Sequence, residues 1–293
     1  MCYHVGMPGR TTLIALVLFW FAALGWQFAV VVWPVIRTGD PPGTGISLSD
    51  ETTASAPSRF RIFLNGREIA LARIQLTHDP ATETFRSSAE FSAQGVKQSG
   101  PSPTVLAAGW LPAKSMLEVD RAGQPQAASS LIKIPGGEVA TLLARRGNHM
   151  VGDKVATLEA SPETRLPGQT IDFPLGEGRA TLSLLHPAWR WNGLRAGQRW
   201  TARLIDPLAD SLLASNQAHG GQPVGCEVSR QMENPPDTEG DVPCWKITAS
   251  REDLEITIWS AVQTGKVMRQ QVRLGSGPGA DLWELVREEL LQQ

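Results

Sequence analysis

From about residue 58 onward the chain breaks into short segments of alternating apolar and polar residues, joined by a few turn-forming residues each. Connections that short permit antiparallel neighbours only, because parallel strands need crossovers of a dozen residues or more. Arg59 to Leu64 runs into Asn65-Gly66 and returns as Arg67 to Thr77. Asn-Gly supplies the two positive-φ residues of a type I′ turn, whose twist matches paired strands. Phe85, Ser87, Ala89 and Phe91 then share one side of the next segment. Met116 to Asp120 turns at Ala122-Gly123 and returns through residues 130–134, and Val139 to Ala144 turns at Arg146 to His149. Later strands fall at 198–205, 223–230, 242–250, 254–263 and 266–274, the last two meeting at Thr264-Gly265. With 28 Gly, 21 Pro and aromatics that are mostly Trp, the predicted fold class is mainly β. It is an antiparallel meander forming a curved sheet or a partly open barrel.

Helices enter this reading in three places. Leu282, Leu285, Val286 and Leu290 sit at helical spacing opposite Glu284, Arg287 and Glu288, which predicts a C-terminal amphipathic helix over 280–293. A short helix is expected near residues 182–191. The third is the apolar run from Thr11 to Ile36, in which Gln27 is the only strongly polar side chain. At about 1.5 Å per residue that run would cross roughly 30 Å of hydrocarbon. It outruns a secretory signal core, which predicts an uncleaved signal-anchor and membrane attachment through Thr11–Ile36. Arg10 in the leading tail, with no acid beside it, puts that tail in the cytoplasm. The expected topology is therefore single-pass in the inner (cytoplasmic) membrane, with the main domain periplasmic. The domain reading is a tail at 1–10, an anchor at 11–36, a Gly/Pro/Ser/Thr-rich linker at 37–57 and a β domain at 58–293.

Cys226 and Cys244 bracket a polar, proline-rich loop between two strand-like segments. A disulfide there would tie the base of a hairpin and restrict the unfolded chain by about 3 kcal/mol. The alternative is two unpaired thiols facing the core.

Gly193-Leu194-Arg195-Ala196-Gly197-Gln198-Arg199-Trp200 leads into a strand that ends Ile205-Asp206-Pro207-Leu208. A Cys-containing pair of strands follows, then Ile256 to Ser260, then Thr264-Gly265-Lys266-Val267-Met268-Arg269-Gln270. This order resembles uncharacterised bacterial envelope domains with a partly open β-barrel, similar in outline to the Lol-type lipoprotein carriers. The resemblance covers roughly residues 60–274. It implies a curved sheet that holds acyl chains beneath a helical lid, here the segment from Asp281 to Leu291. Its motifs are turn and strand residues and carry no catalytic identity.

Chemistry is sparse. A net charge of −2 and a pI near 6.2 argue against a nucleic-acid surface. The histidines at 4, 78, 149, 186 and 219 make no i,i+3 or i,i+4 pair with another ligand, so no metal site is predicted. His78-Asp79-Pro80 and Asp206-Pro207 read as turns. His186 reads as packed or exposed, not catalytic. The Gly275–Gly279 stretch lacks the Lys-Ser/Thr of a phosphate loop, and no G-x-S-x-G elbow occurs. No catalytic residue and no cofactor are predicted. Trp189, Trp191 and Trp200 remain as candidate lining for a ligand site, against ordinary core packing. The function these features suggest is a membrane-anchored, non-enzymatic envelope protein that binds a lipid-like ligand or a protein partner. The alternatives are a structural accessory subunit of a membrane complex, or an envelope hydrolase whose site is assembled from distant loops.

Overall fold

The computed structural model describes residues 10–27, 57–92, 112–120, 123–134, 136–158, 161–165, 168–175, 180–187, 190–191, 193–206, 223–236, 242–252, 254–275 and 280–290. The chain divides into two units, residues 1–40 and 41–293.

The first unit contributes one helix, α1 (Arg10–Gln27, 18 residues). Between Thr12 and Gln27 its apolar stretch covers only about 21 Å at 1.5 Å per residue. The hydrocarbon of a bilayer is roughly 30 Å thick. Residues 28–36, the remainder of the predicted anchor, lie outside the described residues, as does the predicted linker up to residue 56. Among the described residues no helix is long and apolar enough to cross a membrane. This overturns the expected signal-anchor and the membrane attachment through Thr11–Ile36. The single-pass inner-membrane location and the periplasmic placement derived from that anchor fall with it.

The second unit is one sheet of sixteen strands. They are β1 (Ser58–Leu64), β2 (Arg67–Asp79), β3 (Thr84–Ser92), β4 (Ala113–Asp120), β5 (Pro125–Ile134), β6 (Gly137–Arg146), β7 (His149–Leu158) and β8 (Ser161–Arg165). Then follow β9 (Gln169–Pro174), β10 (Ala180–Leu182), β11 (Arg199–Leu204), β12 (Pro223–Val228), β13 (Cys244–Arg251), β14 (Leu254–Ala261), β15 (Val267–Leu274) and β16 (Asp281–Arg287). Their spatial order is β10 to β16, then β1 to β8, with β9 also paired to β7. Every pair is antiparallel except β10 with β11. Among the described residues the two ends of this order do not pair, so the sheet is open and not a barrel.

Local chemistry accounts for most of these elements. Asn65 (φ 51°) and Gly66 (φ 77°) take the two left-handed positions of the β1–β2 turn. On β3 and β4 the burial alternates: Phe85, Ser87, Ala89 and Phe91 point inward, as do Ala113, Ser115, Leu117 and Val119. The outward positions, Met116 apart, are polar, and some pair across the strands, Arg86 with Glu118 at 3.1 Å and Lys114 with Glu90 at 2.9 Å.

The C-terminal segment is not the predicted amphipathic helix. Asp281 to Arg287 forms β16, bonded to β1 on one side and β15 on the other, and only a 3-10 turn (Glu288–Leu290) follows. Without it, β1 and β15 would present two unpaired edges in the middle of the sheet, and buried backbone groups need partners. The Asn65 turn helps dock it: Asn65 N donates to Leu282 O at 2.8 Å, and Leu282 N donates to Asn65 Oδ1 at 2.9 Å. As a strand, DLWELVR sends Trp283 and Leu285 into the main core and Val286 to the opposite face. The helical spacing of Leu282, Leu285 and Val286 was coincidental with a segment that serves both faces.

The described residues of the stretch 182–191 likewise form no helix. After β10 the chain runs irregularly from Ser183 through Pro187. The main core joins β1, β2 and β3 to β11 through β16, with Leu182, Leu184, Leu185 and Trp191 among its members. A second core joins Phe85, Leu117, Leu143, Met150 and Phe173. The chain passes from one to the other at the end of β11: Trp200, Ala202 and Leu204 belong to the first and Ile205, just after the strand, to the second.

Cys226 and Cys244 are both free thiols. Register explains why the predicted disulfide does not form. Cys226 lies opposite Ala249 of β13, five residues along the strand from Cys244. At about 3.4 Å per residue that is roughly 17 Å, whereas a disulfide holds its Cα atoms within about 7 Å. The odd offset also turns the two side chains to opposite faces. Cys226 packs in the main core, and Cys244 in a third cluster with Trp259, Met268 and Val286.

Candidate functional site

Strand β3 brings Ser87 to the sheet's inner face and β4 brings Ser115. Ser115 faces Ser130 of β5 in register, and Ser130 faces Thr141 of β6. All four hydroxyl residues are buried. The irregular segment after β10 lays His186 over them. His186 Nε2 is hydrogen-bonded to Ser115 Oγ at 2.7 Å, and Nδ1 lies 3.4 Å from Ser87 Oγ.

A second carboxylate-centred group anchors the same segment. Asp206 Oδ2, at the end of β11, accepts Ser183 Oγ at 2.6 Å and Leu185 N at 2.8 Å. Ser183 Oγ in turn accepts His186 N at 3.0 Å. From the other side of the core, Gln270 Nε2 on β15 donates to the carbonyls of Ser183 (3.0 Å) and Leu184 (2.6 Å). Residues 183–186 therefore form a plug whose polar groups are spent on strands from both halves of the sheet.

Burial pushes the His186 imidazole below its ordinary value, and the Asp206 charge opposes that shift. His186 is neutral at pH 7. The Ser115–His186 contact has the distance of a nucleophile–base pair. The remaining parts of a hydrolytic site are not arranged around it. Asp206 orients Ser183 and the Leu185 amide, and Ser115 keeps only 4% of its surface exposed and His186 1%. The cavity beside the plug, lined by Ser183, His186, Trp191, Ile258, Val267 and Gln270 among others, measures about 10 Å³. That is room for one water at most, against the roughly 300–1,000 Å³ of a small-molecule pocket.

These observations correct the functional expectation. Among the described residues no helix is long and apolar enough to cross a membrane, the predicted lid is a strand inside the sheet, and the space under the plug cannot hold an acyl chain. Trp191 and Trp200 are buried at 3% exposure each, with ring centroids 5.8 Å apart and planes tilted by 43°. Trp189 lies outside the described residues. Among the described residues no group of three or more His, Cys, Asp or Glu is placed to hold a metal. His78 stacks on Phe85 at 4.7 Å, and Asp79 Oδ1 accepts Ala81 N at 2.9 Å, so that dipeptide builds a turn.

Sequence reasoning set His186 and Asp206 aside. Ser115 and His186 are 71 positions apart, and no local spacing announces a contact made by an irregular segment crossing a sheet.

The class these features define is an open, mainly antiparallel β protein with a plugged interior. No protein-family model matches the chain, and no curated protein matches it. The solved structures it is similar to include the hypothetical lipoprotein YmcC from Escherichia coli K12. The identity is 13%, over 80% of this chain and 89% of that one, with a TM-score of 0.20. This is a weak structural resemblance to an uncharacterised bacterial lipoprotein, and it carries no argument about activity.

Proposed function

We propose that this chain is a non-catalytic β-sheet scaffold that works by recognition at its surface. The observation that carries the reading is the plug. Its histidine, serines and carboxylate are consumed by internal hydrogen bonds around a cavity of about 10 Å³. Groups held this way contribute a single, rigid arrangement of the two halves of the sheet. They leave no volume for a reacting molecule. In this reading Trp191 and Trp200 pack the interior. Of the outline expected from Lol-type carriers, the open antiparallel sheet remains, and residues 183–187 pack where a ligand cavity was expected.

The test is a panel of ester, phosphoester, glycoside and peptide substrates, run on the wild-type chain and on Ser115→Ala. We expect no turnover that the substitution removes. The variant instead loses about 1–3 kcal/mol of stability, because the His186 ring is left with an unmet buried polar atom. A hydrolysis abolished by Ser115→Ala refutes the reading.

A further inference from the structure

Arg203 is a buried cation that neither packing nor the plug accounts for. It lies on β11 next to Thr181 of β10 and is 95% buried, with 5% of its surface exposed. Its Nη1 donates to Gln124 Oε1 at 3.0 Å, a neutral acceptor. Among the described residues its buried Nε has no hydrogen-bond partner. No ion pair to Arg203 is formed among the described residues, and the charge that acts on it is another cation, Arg145. Burial and that neighbour both push its pKa down, although an arginine so placed stays protonated.

The surrounding turn explains why no internal carboxylate relieves it. Asp120, at the end of β4, spends Oδ1 on Gln124 N (2.9 Å) and Oδ2 on Gln126 Nε2 (2.9 Å). Arg145 Nη1 reaches that same Oδ2 only at 4.0 Å. Thr181 Oγ1 donates to Gly123 O at 3.1 Å, which pins the turn against the strand that carries Arg203. The Asp120 carboxylate is thus already occupied, and the guanidinium it faces is that of Arg145.

A buried charge with no ion-pair partner among the described residues is costly to leave so. Gln124 takes one corner of the guanidinium, leaving the Nε–Nη2 edge. That edge presents two parallel N–H donors at the spacing that oxyanions accept in bidentate fashion. We propose that Arg203, with Arg145 beside it, forms a binding site for an oxyanion, carboxylate or phosphate, received by this edge. The site deepens the reading of a recognition scaffold by naming the chemistry it recognises. It stands or falls on binding, whereas that reading is tested by turnover.

The experiment titrates the full chain with inorganic phosphate and, separately, with acetate, at ionic strength held constant with chloride. Arginine Nε–Hε resonances are followed by 15N NMR and the melting temperature by calorimetry. One Nε–Hε resonance, missing in Arg203→Gln, should shift saturably as the melting temperature rises. Arg145→Gln, at a half-buried position, should weaken the binding about tenfold. Saturation by phosphate alone marks a phosphate-bearing ligand, and saturation by acetate alone a carboxylate. No saturable shift with either anion, or an equal rise of melting temperature in Arg203→Gln, overturns the site. If Arg203→Gln does not fold, Arg145→Gln decides, and unchanged affinity in that variant overturns it.

Discussion

Lowering the pH should loosen this fold through one residue. His186 is buried against Ser115 and Ser87, and burial holds its imidazole below the ordinary value of 6.5. The unfolded chain therefore binds a proton at His186 at a pH where the folded chain does not. Stability is fully present above about pH 6.5 and is lost as the pH falls below it. One proton taken up on unfolding gives a slope approaching 1.4 kcal/mol per pH unit, the ceiling for a single site. The Asp206 carboxylate opposes the shift and shallows that slope. For a domain of this size the slope corresponds to roughly 3–6 °C of melting temperature per pH unit. The assay is thermal or urea unfolding of wild type and His186→Gln from pH 7.5 to 5. The glutamine amide keeps a donor and an acceptor near the two hydroxyls but does not titrate. Subtracting the two profiles removes the contributions of other groups, including the exposed His149–Asp172 pair. The reasoning is refuted if the difference is flat below pH 6.5, or if the His186 ring is seen by NMR to titrate at or above its ordinary value.

Two other outcomes follow from packing. A side chain at Gly152 would run into the backbone carbonyl of Leu142 on β6, so Gly152→Ala should cost about 1–3 kcal/mol or more in urea unfolding; a neutral variant would contradict the β6–β7 register. Burial pushes both the Cys226 and the Cys244 thiols up to about 12, with Ala202 opposing the shift at Cys226 and Glu233 adding to it at Cys244. Iodoacetamide at pH 8 should leave both unlabelled in the folded protein and modify both after unfolding without reductant; a crosslinked peptide in mass mapping would contradict the five-residue offset.

Much of the sheet is legible from neighbouring residues alone. Asn65-Gly66, Gly147 and Gly265 sit at turns with positive φ, a conformation that depends on the turn residues and hardly on what surrounds them. The alternation from Phe85 to Phe91 likewise declares a half-buried strand, because side chains of a strand point to opposite faces in turn. Burial on both faces erases that signal. Asp281 to Arg287 lies between two strands and contacts cores on either side, so its apolar residues lost the period of two and mimicked a helix.

Sequence by itself determined an antiparallel, turn-rich β body, since short connections and handed turns are properties of adjacent residues. Tertiary structure alone decided that β16 joins β1 to β15, that Cys226 and Cys244 face apart, and that His186 meets Ser115. It also decided that Arg203 is enclosed without a counter-ion among the described residues. Each of these rests on register or burial between segments remote in the chain, and such pairings are settled by the energy of the whole sheet.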